Sequence, residues 1–128
     1  MNNIDEPLRD IEERTFKFAV RIIKLCQFLE KKSWVTATLG RQLLRCGTSI
    51  GSNVEEAQAA QSRADFISKN KISLKEARET HYQLRLLATA EVVSRSRLQP
   101  LLDECLELKR ILGAIVISAK KKSKVKSE

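Results

Sequence analysis

The single histidine, His81, is the first residue in this sequence to consider for chemistry. A di-iron centre in a helix bundle needs carboxylates on facing helices and two Glu-x-x-His units. The residue three positions before His81 is Arg78, so that ligand set is incomplete. We therefore predict that His81 is a partly buried histidine, satisfied by a partner within the protein.

Other catalytic and ligand-binding motifs are missing as well. The three cysteines, Cys26, Cys46 and Cys105, are too far apart for a zinc site. The segment GTSIG at residues 47–51 lacks the Lys and Ser/Thr that complete a phosphate-binding loop. A nucleophile needs a base that a third group orients, and one histidine provides no recognisable triad. The sequence predicts a protein that is not an enzyme and holds no metal or cofactor.

Paired carboxylates could perform acid–base chemistry. Four glutamates lie near the middle of the predicted second and third helices: Glu55, Glu56, Glu76 and Glu79. The interpretation we favour is ion pairing of Glu76 and Glu79 with nearby basic residues. The candidate partners are Lys75, Arg78, Arg41 and Arg45. Such a polar layer could fix the register of the helices or line a surface between subunits.

The basic residues offer a different kind of site. The net charge is +8 and the pI about 9.7. Residues 120–128 hold five lysines and one glutamate, which leaves +4 for the remainder. Three interpretations are open: a solvated surface, which is the default for scattered lysines, phosphate contacts with nucleic acid, and a membrane-surface role for the lysine tail. The predicted nucleic-acid-binding residues are Lys69, Lys71, Lys75, Arg78, Arg85, Lys120, Lys121 and Lys122. One observation counts against nucleic acid: exposed aromatic residues for base stacking are few, and Tyr82 and Trp34 are the only ones with a polar tip.

Composition places the chain among small helical domains. Its 128 residues fit one domain, and four glycines and two prolines are too few for the many turns of an all-β fold. We expect no signal peptide and no membrane span, since no apolar run approaches about 20 residues. The odd number of cysteines, set in helical apolar patterns, predicts buried free thiols and a cytoplasmic location.

The first predicted helix starts near Pro7 and ends near Lys31 and Lys32, followed by a turn at residues 33–38. It carries two apolar stripes, which together are wider than one bundle seam requires. The first stripe is Phe18, Ile22, Leu25 and Leu29, and the second is Phe16, Val20 and Ile23.

The second predicted helix carries two glycines four residues apart, Gly47 and Gly51, which share a face. Each costs about 1 kcal/mol relative to alanine, so the pair indicates close approach of another backbone. A kink or break in the helix is the alternative. Its apolar stripe is Leu39, Leu43, Gly47, Ile50, Val54 and Ala57.

Ser62 and Asp65 resemble a cap at the start of the third helix, which is predicted to reach Val93. A turn follows at residues 93–97, and Ser96 with Gln99 is predicted to cap the fourth helix. The third stripe is Ile67, Asn70, Leu74, Ala77, His81, Leu84 and Ala88, and the fourth is Leu98, Leu102, Cys105, Leu108, Leu112 and Ile115. These patterns predict an all-α fold, an antiparallel up-down-up-down four-helix bundle over residues 1–119, with a flexible lysine-rich tail at residues 120–128.

Two blocks, TSIGSNVEEA at residues 48–57 and SLKEARETHYQL at residues 73–84, resemble a known family. It is the family of small bacterial four-helix bundle proteins first noticed as products of intervening sequences in large-subunit ribosomal RNA genes. Its broad fold group includes the accessory variability determinants of diversity-generating retroelements. The matching motif in helix two comprises Ser49, Ile50, Ser52, Asn53 and Glu56, with Gly51 where many relatives have proline. Glu76 and Glu79 lie in the second block, as does Gln83, where relatives often carry tryptophan.

The resemblance implies a bundle that assembles into a ring, commonly a homopentamer, and supplies no catalytic residues. The retroelement proteins are understood to be basic pentamers that bind nucleic acid and a reverse transcriptase. We therefore expect a non-enzymatic oligomer whose basic surface binds RNA or DNA non-specifically or by shape. The alternative is a protein–protein scaffold or accessory subunit, for example of a reverse transcriptase, whose charge serves solubility only.

Overall fold

The computed structural model describes the backbone of residues 5–127 and the side chains of residues 10–123. Over that part of the chain it contains four helices and no strand: α1 (Asp5–Glu30), α2 (Trp34–Gln58), α3 (Arg63–Thr89) and α4 (Arg95–Ser127). Each helix packs extensively on the next one along the chain, whereas α1 and α4 touch much less. The predicted all-α four-helix architecture is confirmed.

The predicted apolar stripes form the core. In α1, Phe18, Ile22 and Leu29 are almost fully buried, whereas Phe16 of the second stripe is 64% exposed. Val20 and Ile23 are also exposed, so this second stripe faces away from the bundle. The stripes of α2, α3 and α4 are buried or half-buried along their length.

Helix α2 continues without interruption through the paired glycines, so the alternative of a break is wrong. A Cβ added at Gly47 would lie 2.9 Å from Cγ2 of Ile22. A Cβ at Gly51 would lie 3.3 Å from the backbone oxygen of Thr15. Both glycines therefore allow α1 to approach α2 closely within one chain.

The predicted turn at residues 33–38 is wrong, because α2 begins at Trp34. The hydroxyl of Ser33 accepts a hydrogen bond from the backbone N–H of Thr36 at 3.2 Å. The hydroxyl of Thr36 accepts one from the N–H of Ser33 at 3.0 Å and donates to the carbonyl of Leu29 at 2.6 Å. This reciprocal cap starts the helix directly after a short turn.

The ends of α3 and α4 also differ in part from expectation. Ser62 does cap α3, accepting a bond from the N–H of Asp65 at 3.1 Å. Helix α3 ends at Thr89 rather than Val93, because Glu91 adopts a left-handed conformation with φ of 58°.

The predicted cap of α4 is wrong. Ser96 lies inside the helix. The backbone carbonyl of Ser94 accepts a hydrogen bond from the N–H of Leu98. The side-chain amide of Gln99 donates to the carboxylate of Asp103 at 2.8 Å.

Helix α4 extends beyond residue 119 to Ser127, so its backbone is helical through most of the predicted tail. Flexibility of that tail stays a prediction, and the side chains of residues 124–128 lie outside the described part.

The cysteines are free and buried, as predicted. Burial raises the pKa of the Cys26 thiol to about 11 and that of Cys105 to about 12.

Candidate nucleic-acid interface

Four basic side chains form one exposed row along α3, which we call the α3 basic stripe: Lys71, Lys75, Arg78 and Arg85. Their spacings of four, three and seven residues return to the same face of a helix. The row extends for 14 residues, or about 21 Å at the helical rise. Four of the predicted nucleic-acid-binding residues are thus brought together by a single element.

The α3 basic stripe makes no ion pair with a described carboxylate. Among the side chains that the structure describes, no Asp or Glu oxygen lies within 4.0 Å of its four cationic groups. Many cations elsewhere are paired: Arg14 with Glu104, Arg41 with Glu30, and Arg110 with Glu107. The four cations of the α3 basic stripe are therefore available for contacts with an anionic ligand.

Lys69 does not belong to this row. It lies about 160° around the helix from Lys71, and its Nζ is 3.3 Å from a carboxylate oxygen of Glu56 on α2. The structure thus brings Lys69 to the α2 side, where it links two helices.

The lysines of α4 lie at the same end of the bundle as the start of α3. Lys120, Lys121 and Lys122 are all exposed. Arg63 and Lys122 line one groove of about 740 Å³, which is otherwise mostly apolar. Arg63, which sequence reasoning missed, therefore links the beginning of α3 to the lysines of α4.

Tyr82 is a second residue that sequence reasoning left out of the site. Its side chain is 51% exposed and lies between Arg78 and Arg85 on the same face of α3. The guanidinium of Arg85 is 5.8 Å from the centre of its ring, within the range of a cation–π contact. Its spacing of four from Arg78 and three from Arg85 could have identified it.

His81 is half-buried beside this surface. Its pKa is lowered by burial, with smaller contributions from Lys109 on α4 and from Arg85. The predicted partial burial of His81 is observed. The prediction that a partner satisfies it is wrong, because no residue with a described side chain makes a hydrogen bond to the ring. The neighbouring cations show that positive potential continues from α3 onto α4.

The glutamates make structural contacts. Glu79 pairs with Arg45 at 3.4 Å, which agrees with the predicted ion pairing across helices. Glu76 is different, because its Oε2 is buried without a hydrogen-bond partner in the described part of the protein. Burial, followed by the neighbouring charge of Glu79, raises the pKa of Glu76.

The motif residues of α2 also have structural roles. Ser49 donates a hydrogen bond to the carbonyl of Arg45 at 2.6 Å, and Asn53 donates to the carbonyl of Ser49 at 2.8 Å. Ile50 is fully buried, and its carbonyl accepts a bond from the buried Ser73 of α3 at 2.8 Å. The two sequence blocks thus meet at the α2–α3 interface.

The described residues contain no group of three or more His, Cys, Asp or Glu side chains that could hold a metal ion. None of their helices is both long and apolar enough to cross a membrane.

The fold and the site define a class of protein, a small four-helix bundle with an unpaired basic row on its third helix. The family model described as "23S rRNA-intervening sequence protein" matches residues 9–114. The chain belongs to this bacterial family.

A solved structure supports the same family. The crystal structure of a protein with unknown function from the S23 ribosomal protein family of Bacteroides thetaiotaomicron shares 41% sequence identity with this chain. The similarity covers 86% of this chain and 97% of the other, with a TM-score of 0.80. No curated protein is similar enough to the sequence to count as a match.

Proposed function

We propose that this protein is a non-enzymatic, oligomeric bundle that binds RNA or DNA through the α3 basic stripe and the lysines at the end of α4. The observation that supports the proposal is the row of four exposed cations, none of which forms an ion pair with a described carboxylate. A paired cation must lose its partner to contact a phosphate, whereas these four need not.

The mechanism is electrostatic and independent of sequence. Each cation that contacts a phosphate releases counterions, so affinity falls steeply as salt rises. Phosphate contacts position the ligand but carry no base information, hence recognition depends on the shape and charge of the backbone. The positive charges of Arg85 and Lys109 act on the single histidine, which fits a surface that attracts phosphates.

The first test is binding of the purified protein to a structured RNA and to duplex DNA across a salt series. A variant with Lys71→Glu and Lys75→Glu should bind at least about tenfold more weakly at low salt. Its plot of log affinity against log salt should be shallower by about two, one for each lost phosphate contact. Removal of residues 120–128 should weaken binding further, because the exposed lysines at the end of α4 add to the same field.

The matched control is Lys31→Glu with Arg95→Glu, which changes the net charge equally at the end of the bundle opposite the lysines of α4. This control should retain the wild-type salt dependence. Equal loss in both variants would assign binding to overall charge, and unchanged binding in the stripe variant would overturn the assigned contacts.

Self-association is the second part of the proposal, and the exposed second stripe of α1 supports it. Phe16, Val20 and Ile23 form an apolar row that the bundle does not use. Ile23 also lies with Leu44 in a groove of about 480 Å³ between α1 and α2. An exposed apolar row of this kind is typical of a subunit interface, and a pentameric ring is the arrangement we propose.

A cytoplasmic location fits the buried free cysteines, since a reducing compartment keeps thiols unpaired. The competing function is a protein–protein scaffold or an accessory subunit, for example of a reverse transcriptase. Failure to bind nucleic acid even at low salt would favour this second function and direct the search to protein partners.

A further inference from the structure

An aromatic ring stands in the middle of the α3 basic stripe without serving the core. Tyr82 is 51% exposed, although the buried face of α3 is formed by other residues, such as Ala77 and Leu84. No described group makes a hydrogen bond to its hydroxyl. The guanidinium of Arg85 lies 5.8 Å from the centre of its ring.

The bases of a duplex are stacked on one another, so a protein ring can stack fully only on an unpaired base. Proteins that bind single strands combine a basic track for the backbone with aromatic rings for the bases. Both parts are present here on one helix face. Tyr82 follows Arg78 by about 6 Å and precedes Arg85 by about 4.5 Å along the helix axis.

We propose that the α3 basic stripe binds single-stranded nucleic acid, with an unpaired base stacked on the ring of Tyr82 and phosphates on the flanking cations. This inference rests on the proposed function and names the class of ligand. The hydroxyl is unnecessary to the contact, since stacking uses the face of the ring.

The experiment measures the affinity of labelled oligothymidine of about 16 nucleotides and of a duplex of the same length at low salt. Tyr82→Leu, which keeps an apolar side chain but removes the ring, should weaken binding to the single strand by about tenfold. Its affinity for the duplex should stay within about twofold, and its salt dependence should be unchanged because no charge is lost. Tyr82→Phe should bind both ligands as the wild type does.

The matched control is Trp34→Leu, which removes an 80% exposed aromatic residue outside the stripe and should leave both affinities unchanged. If Tyr82→Leu does not weaken single-strand binding while Lys71→Glu with Lys75→Glu does, the stacking inference is wrong and the proposed function remains. If Tyr82→Leu lowers the affinity for the single strand and for the duplex equally, the stacking inference is also wrong. If neither ligand binds to the wild-type protein, the inference and the proposed function fail together.

Discussion

At the scale of the residue, Glu76 is a carboxylate that the described part of the bundle leaves poorly satisfied. Its Oε2 is buried without a described partner, and the nearby carboxylate of Glu79 adds repulsion. A carboxyl whose pKa is raised on folding binds more protons in the folded than in the unfolded state. Ionised Glu76 therefore lowers the free energy of unfolding at neutral pH, and this loss disappears as the carboxyl is protonated.

We predict that Glu76→Gln raises the free energy of unfolding at neutral pH by about 1 kcal/mol, because it removes a poorly solvated charge. The gain should shrink as pH falls through the raised pKa of Glu76 and vanish below the ordinary value of 4.5, where the carboxyl is protonated in both states. Urea unfolding over a pH series measures the difference.

The control for this prediction is Glu55→Gln, which removes the same charge from an exposed position of α2. It should change the free energy of unfolding by less than about 0.5 kcal/mol. A gain for Glu76→Gln that persists unchanged into acid would show that its charge is not the cause.

The site residues were partly predictable from the sequence. Helical spacing alone puts Lys71, Lys75, Arg78 and Arg85 on one face, and it also puts Lys69 on another. The sequence could not show which cations form ion pairs, because Lys69 contacts Glu56 only when α2 and α3 pack together. The same spacing could have added Tyr82, but its exposure had to come from the structure.

At the scale of the element, the contact between α1 and α2 depends on the absence of a side chain at Gly47. We predict that Gly47→Ala lowers the free energy of unfolding by about 1 kcal/mol. Overpacking against the branched Ile22 costs about 1–3 kcal/mol, which exceeds the gain of about 1 kcal/mol in helix propensity.

Gly113 on α4 provides the comparison, since a Cβ there would meet no heavy atom within 4 Å. Gly113→Ala should therefore raise the free energy of unfolding by up to about 1 kcal/mol. Denaturant unfolding of both variants tests the opposite signs. A gain in both would mean that Ile22 moves aside without cost.

Element type was predictable throughout, because the apolar repeats of all four helices persist over many turns. The boundaries were less predictable, and for identifiable reasons. Thr36 replaces the usual Glu or Gln of a capping box, so the start of α2 was placed too late. Glu91 takes the left-handed position that glycine usually occupies, so no glycine marked the end of α3.

At the scale of the whole molecule, the unused apolar stripe of α1 is the feature that most affects behaviour in solution. We predict that the wild-type protein is larger than the 14.6 kDa of one chain at micromolar concentration. Phe16→Glu should reduce it to a folded monomer, because a charge in the centre of an apolar interface is costly to bury. Light scattering measures the mass, and circular dichroism checks the helix content.

Leu106→Glu is the control, since Leu106 is also an exposed apolar residue but lies on α4. This variant should keep the wild-type mass. Dissociation by Leu106→Glu and not by Phe16→Glu would move the interface to α4. A wild-type monomer would overturn self-association altogether.

The order in which the helices pack also bears on how the chain acquires its fold. Nearly all packing in the described part joins helices that are consecutive in sequence, with the sparse α1–α4 seam as the exception. The contacts are therefore local, and local topologies fold fast because little loop entropy is lost before each contact forms. During synthesis, α1 and α2 can pair as a hairpin before α4 has been made. The pairing of Arg14 with Glu104 has to wait until α4 has been made, so in the nascent chain this seam closes after the α1–α2 contact can form.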